Sequence, residues 1–157
     1  MIKMTRIDYR LLHGQVAFAW TKNLSANAIL IANDEVVNDS FRKQTLNLAK
    51  PNDTKLIFKS VEDSIKAIKS GVTDKYNVFI VVENVHDAYR MAKGTSAVDK
   101  VNLGLSAKRE GTMNIAKAVY VSESEINELK ELIDLGVEVL VKQAPNDTNV
   151  DFCSLIK

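Results

Sequence analysis

A single cysteine, Cys153, stands in the sequence, so no internal disulfide can form, and the chain is expected in a reducing, cytoplasmic compartment. With one cysteine and only two histidines, His13 and His86, a structural zinc site has too few ligands. Charge of one sign is also missing. The 21 basic and 20 acidic residues nearly cancel, and no basic block is present, which argues against a nucleic-acid partner. Long apolar runs are absent: Ala28–Ala32 and Val78–Val82 are far too short to span a bilayer. The first residues enter a strand-like pattern without the charged and apolar regions of a signal peptide. No Gly/Ser- or Pro-rich linker divides the 157 residues, so residues 1–157 are expected to form one domain, a size that can bury a proper core.

What the sequence does have is an alternation of short apolar runs with amphipathic segments. Strands are expected at Ile2–Asp8, Ala26–Ala32, Lys55–Phe58, Asn77–Val82, Lys100–Leu103, Ile115–Val121 and Val137–Lys142. Several are nearly continuous Val/Ile/Leu, as strands covered on both faces are. Helices lie between them. Val16, Trp20 and Leu24 share one face of a helix opening near Gly14, with Trp20 expected in the core. Phe41, Thr45 and Leu48 stripe a second helix that must stop by Pro51. Ser60 with Asp63 caps a third, which exits at Gly71, and Val85, Ala88 and Ala92 mark a fourth. Ser122 with Glu125 forms a capping box for a last helix closed by Gly136. This order predicts an α/β fold: an open, mostly parallel sheet of about seven strands with helices on both faces. Ligands and chemistry in such folds gather at the carboxyl ends of the strands.

The loop leaving the first strand is therefore the place to look. Tyr9 to His13 would leave its carboxyl end, and Gly14-Gln15 would open the next helix, where unpaired N–H groups and the helix dipole favour an anion. Arg10 offers a fork of donors suited to phosphate oxygens, and Gly14 lets the backbone approach closely or take positive φ. Asp8 is placed to orient the imidazole of His13 or to shape the loop by backbone hydrogen bonds. A neutral imidazole is a competent nucleophile at phosphorus, and the remaining work is positioning and charge stabilisation. Asn33-Asp34 ends the second strand: its carboxylate either supports His13 and Arg10 from the same rim or serves as a helix cap or Asx turn. Asn102 and Gly104 have the same ambiguity, Gly104 being explained by a tight turn.

The segment Arg6-Ile-Asp-Tyr-Arg-Leu-Leu-His-Gly-Gln-Val16 resembles the signature of the IIB component of the mannose/fructose/sorbose family of sugar phosphotransferase systems (PTS), usually Arg-Ile-Asp-Asp-Arg-Leu-Ile-His-Gly-Gln-Val. Further landmarks are Ile31–Val37, Asn102-Leu-Gly104, Glu110-Gly111, Ala116–Val119, Gly136–Val139 and Gln143-Ala-Pro145. The resemblance implies a cytoplasmic phosphocarrier, associated with the inner membrane face through membrane components IIC and IID. His13 would accept a phosphoryl group on Nδ1 from phospho-IIA and pass it to a sugar, assisted by Arg10, with no metal or nucleotide cofactor. Tyr9 stands where the family usually has a second aspartate, and Leu105-Ser106 where many members have Gly-Met. Self-association is left open.

Two other readings compete. A histidine phosphatase or mutase also places a histidine after its first strand, but usually within Arg-His-Gly and with a second catalytic histidine; here Leu12 precedes His13 and only His86 remains, in what looks like a capping region. A non-catalytic α/β binding module of the receiver type needs a phosphorylatable aspartate after the third strand, where Lys59 stands. Neither Gly-x-Gly-x-x-Gly nor a P-loop pattern occurs. Cys153 is treated as a small apolar residue, and Lys108–Gly111 as a charged turn, either solvated or used for docking a partner.

Overall fold

A computed structural model describes residues 1–156. Its strands are β1 (Ile2–Asp8), β2 (Ala28–Ala32), β3 (Lys55–Lys59), β4 (Val78–Val82), β5 (Lys100–Leu105), β6 (Thr112–Ala116), β7 (Val119–Ser122), β8 (Glu138–Val141) and β9 (Val150–Asp151). Its helices are α1 (Gly14–Asn23), α2 (Ser40–Leu48), α3 (Val61–Ser70), α4 (Val85–Gly94) and α5 (Glu123–Asp134). Seven strands form one sheet in the order β3-β2-β4-β1-β5-β8-β9, parallel except for β9, which runs antiparallel to β8.

The expected α/β sheet is present, with one strand misassigned. Ile115–Val121 is not a strand of the sheet: it spans the tight turn of the β6–β7 hairpin, a separate two-stranded ribbon. Ala118 makes that turn with φ 58°, a conformation that alanine adopts rarely and that no Gly or Asn announces. The seventh strand of the main sheet is instead the two-residue β9.

Strand side chains alternate between two cores. On β4, Val78, Ile80 and Val82 join Val61, Ile68, Ala88, Met91, Leu129 and Leu132 from α3, α4 and α5. Phe79 and Val81 point the other way, to Ala17 and Trp20 of α1 and Leu46 of α2. Helices thus cover both faces, which is why the central strands are apolar without interruption.

Helix ends follow the expected chemistry. The Ser60 hydroxyl accepts from the Asp63 N–H, Asn84 caps α4 at Asp87, and Ser122 with Glu125 completes a reciprocal capping box on α5. Gly71 closes α3 at φ 86°. The second helix differs from expectation in its face. Phe41 and Leu48 are 80% and 89% exposed, and only Leu46 of α2 is buried, because the helix lies on the rim and rests one side chain on the core.

Candidate functional site

β1 is central, and its carboxyl end delivers the loop Tyr9–His13 to the rim of the sheet. The loop is anchored from below. Leu11 and Leu12 are 3% and 4% exposed and sit in the α1-side core, while the Leu11 N–H donates to the Asp8 carbonyl at 2.9 Å. Leu11 takes φ 62°, a conformation that costs about 1–3 kcal/mol and is held here by burial of its side chain. Gly14 follows at φ 51°; a Cβ there would meet nothing within 4 Å, so the backbone angle rather than crowding favours glycine. With buried leucines before it and a positive-φ glycine after it, His13 is turned outward. It is the exposed N-cap of α1, and its side chain makes no capping bond. The first N–H groups of α1, at Gly14, Gln15 and Val16, open beside it.

Asp8 organises the loop from beneath. The residue is 1% exposed, and its carboxylate accepts the Arg10 backbone N–H at 2.9 Å, Arg10 Nε at 3.3 Å and Arg10 Nη2 at 3.4 Å. Of its two expected roles it therefore shapes the loop and holds Arg10. Its second partner is Arg6, which donates Nη2 to Oδ2 at 3.3 Å and Nη1 to Asn102 Oδ1 at 2.6 Å. Burial pushes the Arg6 guanidinium below its ordinary value, and neighbouring Asp8 opposes that shift. Residue-by-residue reading of the sequence passed over Arg6. The available signal was an arginine placed mid-strand in the first strand of the sheet, two residues before an aspartate on the same face, where a buried charge needs a partner.

Gly104 has a different reason from the expected turn. It lies within β5, where a Cβ would stand 2.3 Å from Arg6 Nη1 and 2.4 Å from its Cζ. Asn102, two residues earlier on the same face, also ties β5 to β8 by donating Nδ2 to the Lys142 carbonyl at 3.0 Å.

Asp8, Arg10, His13, Gly14 and Gln15 are thus brought together, but Asp34 is not. Its oxygens accept the Val61 N–H at 2.9 Å and Arg90 Nη1 at 2.8 Å. The sheet order explains this: β4 intervenes between β2 and β1, so their ends are about 9.6 Å apart at the usual strand spacing. Asp34 instead ties the start of α3 to Arg90 of α4, and Asn33 makes the Asx turn, accepting from the Glu35 and Val36 N–H groups.

Tyr9 is 45% exposed and walls a cleft of about 280 Å³ together with Glu83, Asn84, Ser106, Arg109 and Glu125. On the α1 flank a shallower groove of about 390 Å³ runs between Gly14, Gln15, Phe18 and Leu48–Pro51. Ser106 accepts the Tyr120 N–H and donates to the Tyr120 carbonyl, pinning the β6–β7 hairpin to the end of β5. Trp20 is core, as expected, and its Nε1–H reaches the Gln143 carbonyl at 2.8 Å. His86 is exposed on α4 and pairs with Glu128 of α5. Cys153, read as a small apolar residue, is free and exposed.

Comparison with known proteins settles the family. The model for the PTS system sorbose subfamily IIB component matches residues 2–157. The chain belongs to that family. A probable phosphotransferase enzyme IIB component of Streptococcus pyogenes is 35% identical to this IIB component over 99% of both chains. The sorbose-specific EIIB component of Klebsiella pneumoniae is 32% identical, over 99% of this chain and 94% of that protein. The crystal structure of the IIBSor domain of the Klebsiella pneumoniae sorbose permease superposes with a TM-score of 0.93, at 32% identity, covering 99% of this chain and 96% of that one. Membership identifies this IIB component as part of a sugar phosphotransferase system, a transferase family.

Proposed function

We propose that this IIB component is a phosphocarrier in which His13 receives a phosphoryl group from a phosphohistidine on a IIA protein and passes it to a sugar. Residues 1–157 act as one IIB domain, and membrane components IIC and IID hold the sugar and bring the carrier to the membrane face. No helix of the described residues is long and apolar enough to cross a membrane by itself.

The observation that carries this reading is the His13 setting: an exposed imidazole at the N-cap of α1, on a loop whose Arg10 is held by a buried carboxylate. In the first step an imidazole nitrogen of His13, Nδ1 by family resemblance, attacks phosphorus. The donor N–P bond breaks, its electron pair returns to the donor imidazole, and that ring takes up a proton. In the second step a sugar hydroxyl oxygen attacks the same phosphorus. The His13 N–P bond breaks, and the hydroxyl proton leaves with the ring. Arg10 and the α1 N–H groups supply the positive field for the charge spread over the equatorial oxygens. Gln15, exposed in the first turn of α1, stands on that rim.

The test is labelling by a phosphotransferase chain containing a cognate IIA. Phosphate that is stable in base and labile in acid should appear on the wild type and not on His13→Ala. Persistent label on the variant would overturn the reading. Arg10→Lys should slow transfer about tenfold while leaving the melting temperature nearly unchanged, because lysine keeps the charge and loses the fork.

A further inference from the structure

Three charges are stacked in line beneath the site. Arg6 is 2% exposed, Asp8 is 1% exposed, and the Arg10 side chain is 27% exposed. Asp8 stands between the two guanidinium groups and accepts from both, so two positive charges share one negative charge. Arg10 turns Nε and Nη2 inward to Asp8; its Nη1 has no hydrogen-bond partner among the described residues. Arg6 itself is buried beneath the loop. It is clamped by Asp8, by Asn102, by the Lys142 carbonyl at 3.5 Å, and by the Trp20 ring, whose centroid lies 5.6 Å from Cζ. Gly104 leaves the space that its guanidinium fills.

A buried arginine held by three further groups to support one carboxylate is a costly construction for a strand end. Apolar side chains would pack there at no electrostatic cost. Its effect is on Arg10. With Asp8 facing Arg10 alone, the two charges would cancel. With Arg6 sharing Asp8, Arg10 is oriented by the carboxylate while the cluster keeps a net positive charge.

We propose that Arg6 is a positioning residue for phosphoryl transfer: through Asp8 it fixes the Arg10 fork and leaves Nη1, with an uncancelled charge, for the phosphoryl oxygens. This rests on the carrier reading. Gly104 and Asn102 are its supports, one by giving room and the other by fixing the fork.

Phosphoramidate is a suitable probe, because it needs no protein docking: its P–N bond breaks, an N–P bond to His13 forms, and ammonia leaves. Two variants keep every charge, Arg6→Lys, which loses the fork, and Gly104→Ala, which displaces it. Rates are taken per folded molecule, with the folded fraction measured by urea titration. Each variant should lower the maximal rate of acid-labile labelling about tenfold, the scale on which supporting partners of a site act. In an Arg10→Ala background the same changes should have no further effect beyond about twofold, since they act through Arg10. The Arg10 Nε–H resonance should shift in both variants. Wild-type rates in folded Arg6→Lys, or an equal fractional loss with Arg10 already removed, would overturn the proposal. Labelling of His13→Ala by phosphoramidate would overturn the carrier reading instead.

Discussion

Replacing Gly104 by alanine adds one carbon, yet its consequence for stability follows directly from what that carbon meets. The new Cβ would stand 2.3, 2.4 and 2.7 Å from Nη1, Cζ and Nη2 of Arg6, distances at which something must shift. The guanidinium has little freedom to do so, since Asn102 holds it at 2.6 Å and Asp8 at 3.3 Å, with Trp20 stacked on it. Overpacking a filled site costs about 1–3 kcal/mol. Weakening a buried hydrogen bond to a charged group costs about 1.5–3 kcal/mol. Relaxation trades one cost against the other, so we expect a loss of about 3 kcal/mol, which in a domain of this size lowers Tm by roughly 6–12 °C. Gly94→Ala is the control. Its Cβ would also meet another side chain, Ile65, at 2.5 Å from Cδ1, 2.9 Å from Cγ1 and 3.0 Å from Cγ2, but Ile65 is half-buried and makes no hydrogen bond that must break when it shifts. Alanine also favours the helix end by up to about 1 kcal/mol, so Gly94→Ala should fall within ~1 kcal/mol of wild type. Urea titrations of both variants at neutral pH decide the matter. Equal stabilities for Gly104→Ala and wild type would refute the claim that the Arg6 fork is rigidly held.

Ser122→Ala removes one half of the α5 capping box and should cost about 1 kcal/mol in urea unfolding, whereas Ser124→Ala, one turn position away, should cost less. Asp34 is held below its ordinary value by the Arg90 hydrogen bond first and the Val61 N–H second. Its folded pKa lies below its unfolded one, so the stability it adds is present above about pH 4 and is lost as pH falls through the lower folded value. Asp34→Asn should therefore be less stable than wild type at pH 7, and the gap should close in melts taken below about pH 4; a constant gap would contradict the assignment. Phe41→Ser and Leu48→Ser should each change stability by less than about 0.5 kcal/mol, because both side chains stand in solvent.

That last pair marks where local pattern and tertiary setting part. A three-and-four spacing says which side chains share a face of α2, but not whether that face meets the core, and here the helix rests on Leu46 alone. The buried central strands were legible because Val, Ile and Leu run through β2 and β4 without a polar residue. The caps at Ser60 and Ser122 were legible because their chemistry is complete within four residues. The β6–β7 turn was hidden because Lys117-Ala118 carries none of the usual turn residues, and β9 because two residues make no pattern. At the site, the residues of the β1–α1 loop are contiguous, so the sequence alone placed them in one loop. Arg6, Asn102 and Gly104 form one unit only after β5 is laid beside β1, a pairing that joins residues 96 positions apart. Asp34 was drawn toward the loop by its place at a strand end, and the intervening β4 separates them.

The two cores on opposite faces of the sheet divide the molecule into regions of unequal mutational tolerance. Beneath α3, α4 and α5 lies the larger apolar cluster, and neither Leu11 nor Leu12 of the His13 loop belongs to it. On the other face Leu11, Leu12, Trp20 and Met4 pack together directly under Arg10 and His13. Conservative substitutions on the first face should alter abundance and melting but leave turnover per folded molecule intact. On the second face the same substitutions should alter turnover even where the fold survives. A saturation library sorted separately for expression and for phosphorylation would separate the two faces of a single sheet.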